Sequence, residues 1–130
     1  MDDRVKHWLD IADEDLSVAK YLVKGNKFLY TVFMCHQAVE KTLKAVIARD
    51  CAEDEIPPKI HHLLKLADYA GLYEKMSKEQ QKFIKRLNPM NIEARYPEYK
   101  SRVSEGLSEN ICAEIIGETE AMLCWIKERL

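Results

Sequence analysis

Gln37, Glu40, Lys41 and Lys44 stand at i, i+3, i+4 and i+7, a spacing that places four polar side chains along one face of a helix. A carboxylate and two ammonium groups gathered in this way can hold a phosphate or a polar partner group, and His36 stands beside them in sequence. Far down the chain, Arg95-Tyr96-Pro97 adds three complementary properties. Arg95 offers a guanidinium fork suited to phosphate, Tyr96 a ring on which a base can stack, and Pro97 a fixed local backbone. Lys82, Lys85, Arg86, Lys100 and Arg102 add positive charge to the same part of the chain. Taken alone, Glu40 and Lys44 form an i, i+4 pair of the kind that stabilises a helix surface by a few tenths of a kcal/mol. Set beside Arg95 and Tyr96, they become candidate ligand-binding residues.

Other chemistries find less support. Phosphate-cradling loops of the type G-x-x-x-x-G-K-[ST] or G-x-G-x-x-G are absent, as is the zinc-binding H-E-x-x-H. His61 and His62 are adjacent, so on a helix they diverge by about 100° and cannot chelate one ion. No metal or cofactor is therefore expected. Cys35, Cys51, Cys112 and Cys124 show no paired ligand spacing, and three of them fall in apolar helical stripes, where buried reduced thiols are expected. Cys35 points to a different helix face from His36, which leaves it without an activating base.

These residues must be positioned by helices. Val5, Trp8, Leu9, Ala12, Leu16, Ala19, Leu22 and Val23 follow the 3.6-residue period and predict a helix over 3–24, capped by Asp2 or Asp3 and ended by Gly25-Asn26. Its opposite face carries Asp10, Asp13, Glu14, Ser17 and Lys20, a solvated face on this reading. A second helix over 28–50 returns antiparallel, giving a long helical hairpin. The acidic segment from Cys51 to Pro58 reads as a loop. A short helix is expected over 60–70 with Gly71 as its cap, and Ser77-Lys-Glu-Gln80 is a capping box opening a helix that Asn88-Pro89 interrupts. A further turn is expected over 92–95, then an exposed connection, then a last helix over 108–129. The fold class is all-α, an up-and-down bundle of four to five helices.

The chain's 130 residues suit a single domain, 1–130, around one core. A formal charge of −2 gives no global attraction to nucleic acid or to an anionic membrane, so such binding would need a local basic patch. No apolar run approaches the length of a membrane span and no secretory leader is visible, so a cytoplasmic location without membrane contact is expected.

Trp8…Ala12-Asp13-Glu14-Asp15-Leu16…Ala19, Gln37-Ala38-Val39-Glu40-Lys41…Lys44-Ala45, His61-His62-Leu63 and Ile92-Glu93-Ala94-Arg95-Tyr96-Pro97 occur in that order. Together they resemble the HEPN domain family (higher eukaryotes and prokaryotes nucleotide-binding domain), its stand-alone prokaryotic type, over nearly the whole chain. The resemblance implies a helical bundle that homodimerises. It also implies partnership with a minimal nucleotidyltransferase encoded nearby, in a toxin–antitoxin-like pair, and binding of a nucleotide or RNA. Many family members are metal-independent ribonucleases that use an Arg-x(4–6)-His motif, in which His serves as general acid or base and Arg stabilises the phosphorane. This chain departs from that motif: the window after Arg95 holds Lys100, Ser101 and Arg102, and no other Arg is followed by His at that spacing. The expected function is therefore a nucleotide-, RNA- or partner-binding module, its ligand held by Gln37, Glu40, Lys41, Lys44, Arg95 and Tyr96. One alternative is an RNase toxin with a relocated acid/base, for which Arg95 and His62 are the candidate catalytic residues. Another is a purely structural dimerisation unit.

Overall fold

The computed structural model describes residues 2–91 and 105–130. Among them lie five α-helices: α1 (Asp3–Lys24), α2 (Phe28–Asp50), α3 (Leu63–Tyr69), α4 (Lys78–Leu87) and α5 (Glu109–Lys127), with a 3-10 turn at Tyr73–Lys75. No strand occurs among the described residues. The expected all-α bundle and its long hairpin are both present. The expected turn over 92–95 lies outside the described residues, as do Arg95 and Tyr96.

Local chemistry sets the helix ends. Asp2 caps α1 by accepting from the Arg4 amide. Asn26 takes a positive φ of 59° in the turn to α2. Ser77 and Gln80 form the reciprocal capping box of α4, and Ser108 caps α5. Gly71, at φ 73°, follows α3 in the left-handed conformation that glycine adopts without a Cβ clash. α3 begins three residues later than the spacing suggested. Its N-cap is His62, whose Nδ1 accepts from the Lys65 amide at 3.3 Å, so His61 and His62 precede the helix rather than lying on it.

α2 is the axis of the bundle. α1 packs along it antiparallel, with Ala12 and Ala19 fully buried at the contact, and α3, α4 and α5 cover its other sides. α5 runs parallel to α2: Cys112 Sγ reaches the Phe28 carbonyl at the start of both helices, and Arg49 Nη1 donates to the Arg129 carbonyl at their ends. Val32, Val39, Leu43, Leu63, Leu66, Ile84, Ile115 and Ile126 build the common core. Each such fully buried side chain contributes roughly 2 kcal/mol. Thr31, Thr42 and Thr119 enter this core with their hydroxyls donating to the carbonyls of Lys27, Ala38 and Ile115.

Cys35 and Cys112 are buried free thiols as expected, but Cys124 is exposed on the outer side of α5 and Cys51 is half-buried in the loop. Cys124 shares a helix with the apolar stripe without sharing its face. Burial pushes the Cys35 thiol up to about 12, which leaves it unreactive.

Candidate functional site around Glu40

Because α2 is wrapped on nearly every side, its polar strip is also covered. Glu40 has no exposed surface, and Lys44 is buried beside it. An isolated carboxylate at such depth would cost several kcal/mol, which is offset only by close opposite charge and hydrogen bonds. Glu40 has both. Lys44 Nζ lies 3.1 Å and Lys41 Nζ 3.5 Å from Oε2, and His61 Nδ1 lies 3.1 Å and 3.0 Å from the two carboxylate oxygens. Burial pushes the Glu40 pKa up, but Lys41, the His61 hydrogen bond and Lys44 outweigh it and hold the carboxyl below its ordinary range. The Glu40–Lys44 pair is thus not the surface salt bridge that its spacing alone suggested.

The surrounding groups divide by charge. His36 is fully buried, its Nδ1 3.7 Å from Glu40 Oε1, beyond hydrogen-bond reach. Gln37 and the backbone of His61 face the ring short of hydrogen-bond geometry, so both ring nitrogens lack a partner. Burial lowers His36 to about 4, against the pull of Glu40, and the ring is neutral at neutral pH. Asp15 approaches from α1; burial raises its pKa, Lys41 opposes that rise, and Glu40 and Glu14 add to it. Lys44 also lies over the Trp8 ring, 5.8 Å from its centroid.

At the mouth of this cluster stands His61, its side chain 44% exposed. An ionised carboxylate only accepts, so Nδ1 carries the proton it donates to Glu40. In the neutral ring that leaves Nε2 with its lone pair. A carboxylate-oriented imidazole beside two ammonium groups can exchange a proton with a bound substrate or accompany a phosphate. No group of three or more His, Cys, Asp or Glu side chains suited to a metal occurs among the described residues.

Of the residues singled out in sequence, Glu40, Lys41 and Lys44 come together. The Gln37 side chain makes no bond to them, its Oε1 buried without a partner. His62 is turned away into its capping role. Two residues of the cluster escaped the sequence reading. Asp15 had a usable signal, since it lies seven residues from Trp8 on the stripe that faces α2. His61 had none, because its approach depends on the irregular segment between Pro58 and α3.

The HEPN domain model matches residues 5–130. The chain belongs to the HEPN family. Two solved structures share the HEPN fold seen here. TT1696 from Thermus thermophilus superposes with a TM-score of 0.80 at 21% identity, over 98% of each chain. ST0689, an archaeal HEPN homologue, gives 0.71 at 22% identity over 99% of this chain and 98% of that one. No curated protein matches this HEPN chain in sequence.

Proposed function

We propose that this HEPN chain is a nucleotide- or RNA-binding module whose phosphate site is the cluster around Glu40. One observation carries the reading: a fully buried, ionised carboxylate is ringed by Lys41, Lys44 and His61, with His61 at the surface. With His36 neutral, Lys41 and Lys44 face the carboxyl groups of Glu40 and Asp15, and the half-exposed His61 beside Lys41 offers the donors that a phosphate would meet at this edge. Arg95 and Tyr96 complete the site on this reading, as phosphate fork and base platform. The module works as one domain, as a homodimer in the cytoplasm, beside a minimal nucleotidyltransferase. Fluorescence anisotropy with a labelled uridine-rich RNA and calorimetry with AMP test it. Lys41→Ala, His61→Ala and Arg95→Ala should each weaken binding about tenfold, the loss of one charge-assisted contact. Equal affinity of all three variants and the parent for both probes would overturn the site.

The bond from His61 to Glu40 favours a second reading, metal-independent RNA cleavage. Here Nε2 of His61 takes the proton of a ribose 2′-hydroxyl, and the 2′-oxygen displaces the 5′-oxygen to leave a 2′,3′-cyclic phosphate. His61, not the neighbouring His62, is the relocated acid/base. Purified protein should then cut RNA in chelator, His62→Ala should keep that activity and His61→Ala should lose it. RNA left intact by the parent chain would dispose of this reading while leaving the binding module standing.

A further inference from the structure

A cleft of about 420 Å³, with Trp8 in its wall, opens between the first turns of α1 and the loop that follows α2. Trp8, Ala48, Ile56 and Pro57 supply apolar wall, while Asp3 and Glu55 bring carboxylates to it. The loop is fixed against α1 by Arg4, whose guanidinium donates to the Ala52 carbonyl at 2.7 Å and the Cys51 carbonyl at 3.3 Å and pairs with Asp2. That cation on the wall is therefore already engaged. Asp3 and Glu55 form no ion pair among the described residues, and Glu53 and Asp54 extend the acidic run at the loop. Ile56 stands 66% exposed, a large aliphatic side chain held open in water.

We propose that this cleft docks a basic peptide segment of a partner protein. An aliphatic side chain of the partner packs on Trp8, Ile56 and Pro57, and flanking Lys or Arg groups meet Asp3 and Glu55. Charge complementarity selects this occupant. Arg4 and His7 also line the cleft, but Arg4 is held by Asp2. Asp3 and Glu55, with Glu53 and Asp54 beyond them, leave the face acidic, so an apolar wall beside these carboxylates suits a chain that alternates aliphatic and cationic side chains. The site is independent of the phosphate reading at Glu40, because it uses different residues and the opposite charge. The two regions meet at Trp8, which lines the cleft and lies near Lys44.

The test is a nuclear magnetic resonance titration of the full chain, followed at the indole N–H of Trp8 and assigned with Trp125→Phe. Three probes are compared: the blocked peptide acetyl-Arg-Leu-Lys-Leu-Arg-amide, its counterpart acetyl-Glu-Leu-Asp-Leu-Glu-amide, and a uridine-rich RNA. The basic peptide should shift Trp8 and the 53–57 amides saturably, and the other two should leave the 53–57 amides in place, Trp8 alone being open to RNA bound beside Lys44. Glu55→Lys and Ile56→Ser, both on the exposed loop, should each weaken it about fivefold, and added salt should weaken it further. Equal shifts from the acidic peptide, displacement by RNA, or unchanged affinity in both variants would overturn the proposal. Loss of RNA binding at Glu40 with the peptide still bound here would fault only the phosphate reading.

Discussion

The outer face of α1 and the polar strip of α2 both set acids and bases at helical spacing, and both contain an i, i+4 ion pair. On α1, Lys6 meets Asp10 at 2.7 Å with both side chains more than 60% exposed. Asp13 meets Lys127 at 2.6 Å, and Lys20 pairs with Glu120, again in water. On α2, Glu40 and Lys44 have almost no exposed surface, and two histidines and a second lysine crowd the same carboxylate. The difference lies in what is packed above. α1 is an outer helix, while α2 is covered by every other helix of the bundle. A charged pair at the surface contributes little because water solvates either partner alone, whereas beneath a covering layer each partner depends on the other.

Substitutions sharpen this contrast, beginning with the largest effect. Glu40→Ala leaves Lys44 buried without its carboxylate and should cost roughly 3–5 kcal/mol in urea unfolding, a large part of a typical domain's stability. A loss below about 1 kcal/mol would place the pair with those of α1. His36 comes next. Its folded pKa of about 4 lies below the ordinary value of 6.5, so between those limits the unfolded chain binds a proton that the folded chain refuses. Stability is complete above pH 6.5 and falls as pH drops, by about 3 kcal/mol in all at pH 4. His36→Leu should flatten this slope in urea midpoints measured between pH 7 and pH 4.5, and an unaltered slope would contradict the assignment. Glu40, with its lowered pKa, loses its contribution only as pH falls below the usual carboxylate range. The smallest effect belongs to Asp13→Ala, which removes an exposed pair and should change stability by less than about 1 kcal/mol, less again in salt.

The same contrast marks how far the sequence carries. Apolar periodicity sufficed for α1, α2, α4 and α5, because each buries one continuous stripe, and Ser77 with Gln80 announced the start of α4. It failed at α3, where the approach after two prolines is irregular and His62 caps a helix three residues later than its apolar pattern suggested. Glu40, Lys41 and Lys44 were legible as one face. Their burial was not, since spacing along one helix does not record whether a second layer covers it. His61 joins Glu40 across 21 residues through a loop conformation that no periodicity encodes.

Whether buried, ionised Glu40 orients His61 can be read from nitrogen-detected magnetic resonance of the imidazole rings, with Glu40→Gln as the comparison. Neutral His61 should carry its proton on Nδ1 in the parent chain and lose that fixed tautomer in Glu40→Gln, while His36 stays neutral at pH 6. A proton on Nε2 of His61 in the parent, or identical His61 spectra in the two proteins, would contradict it.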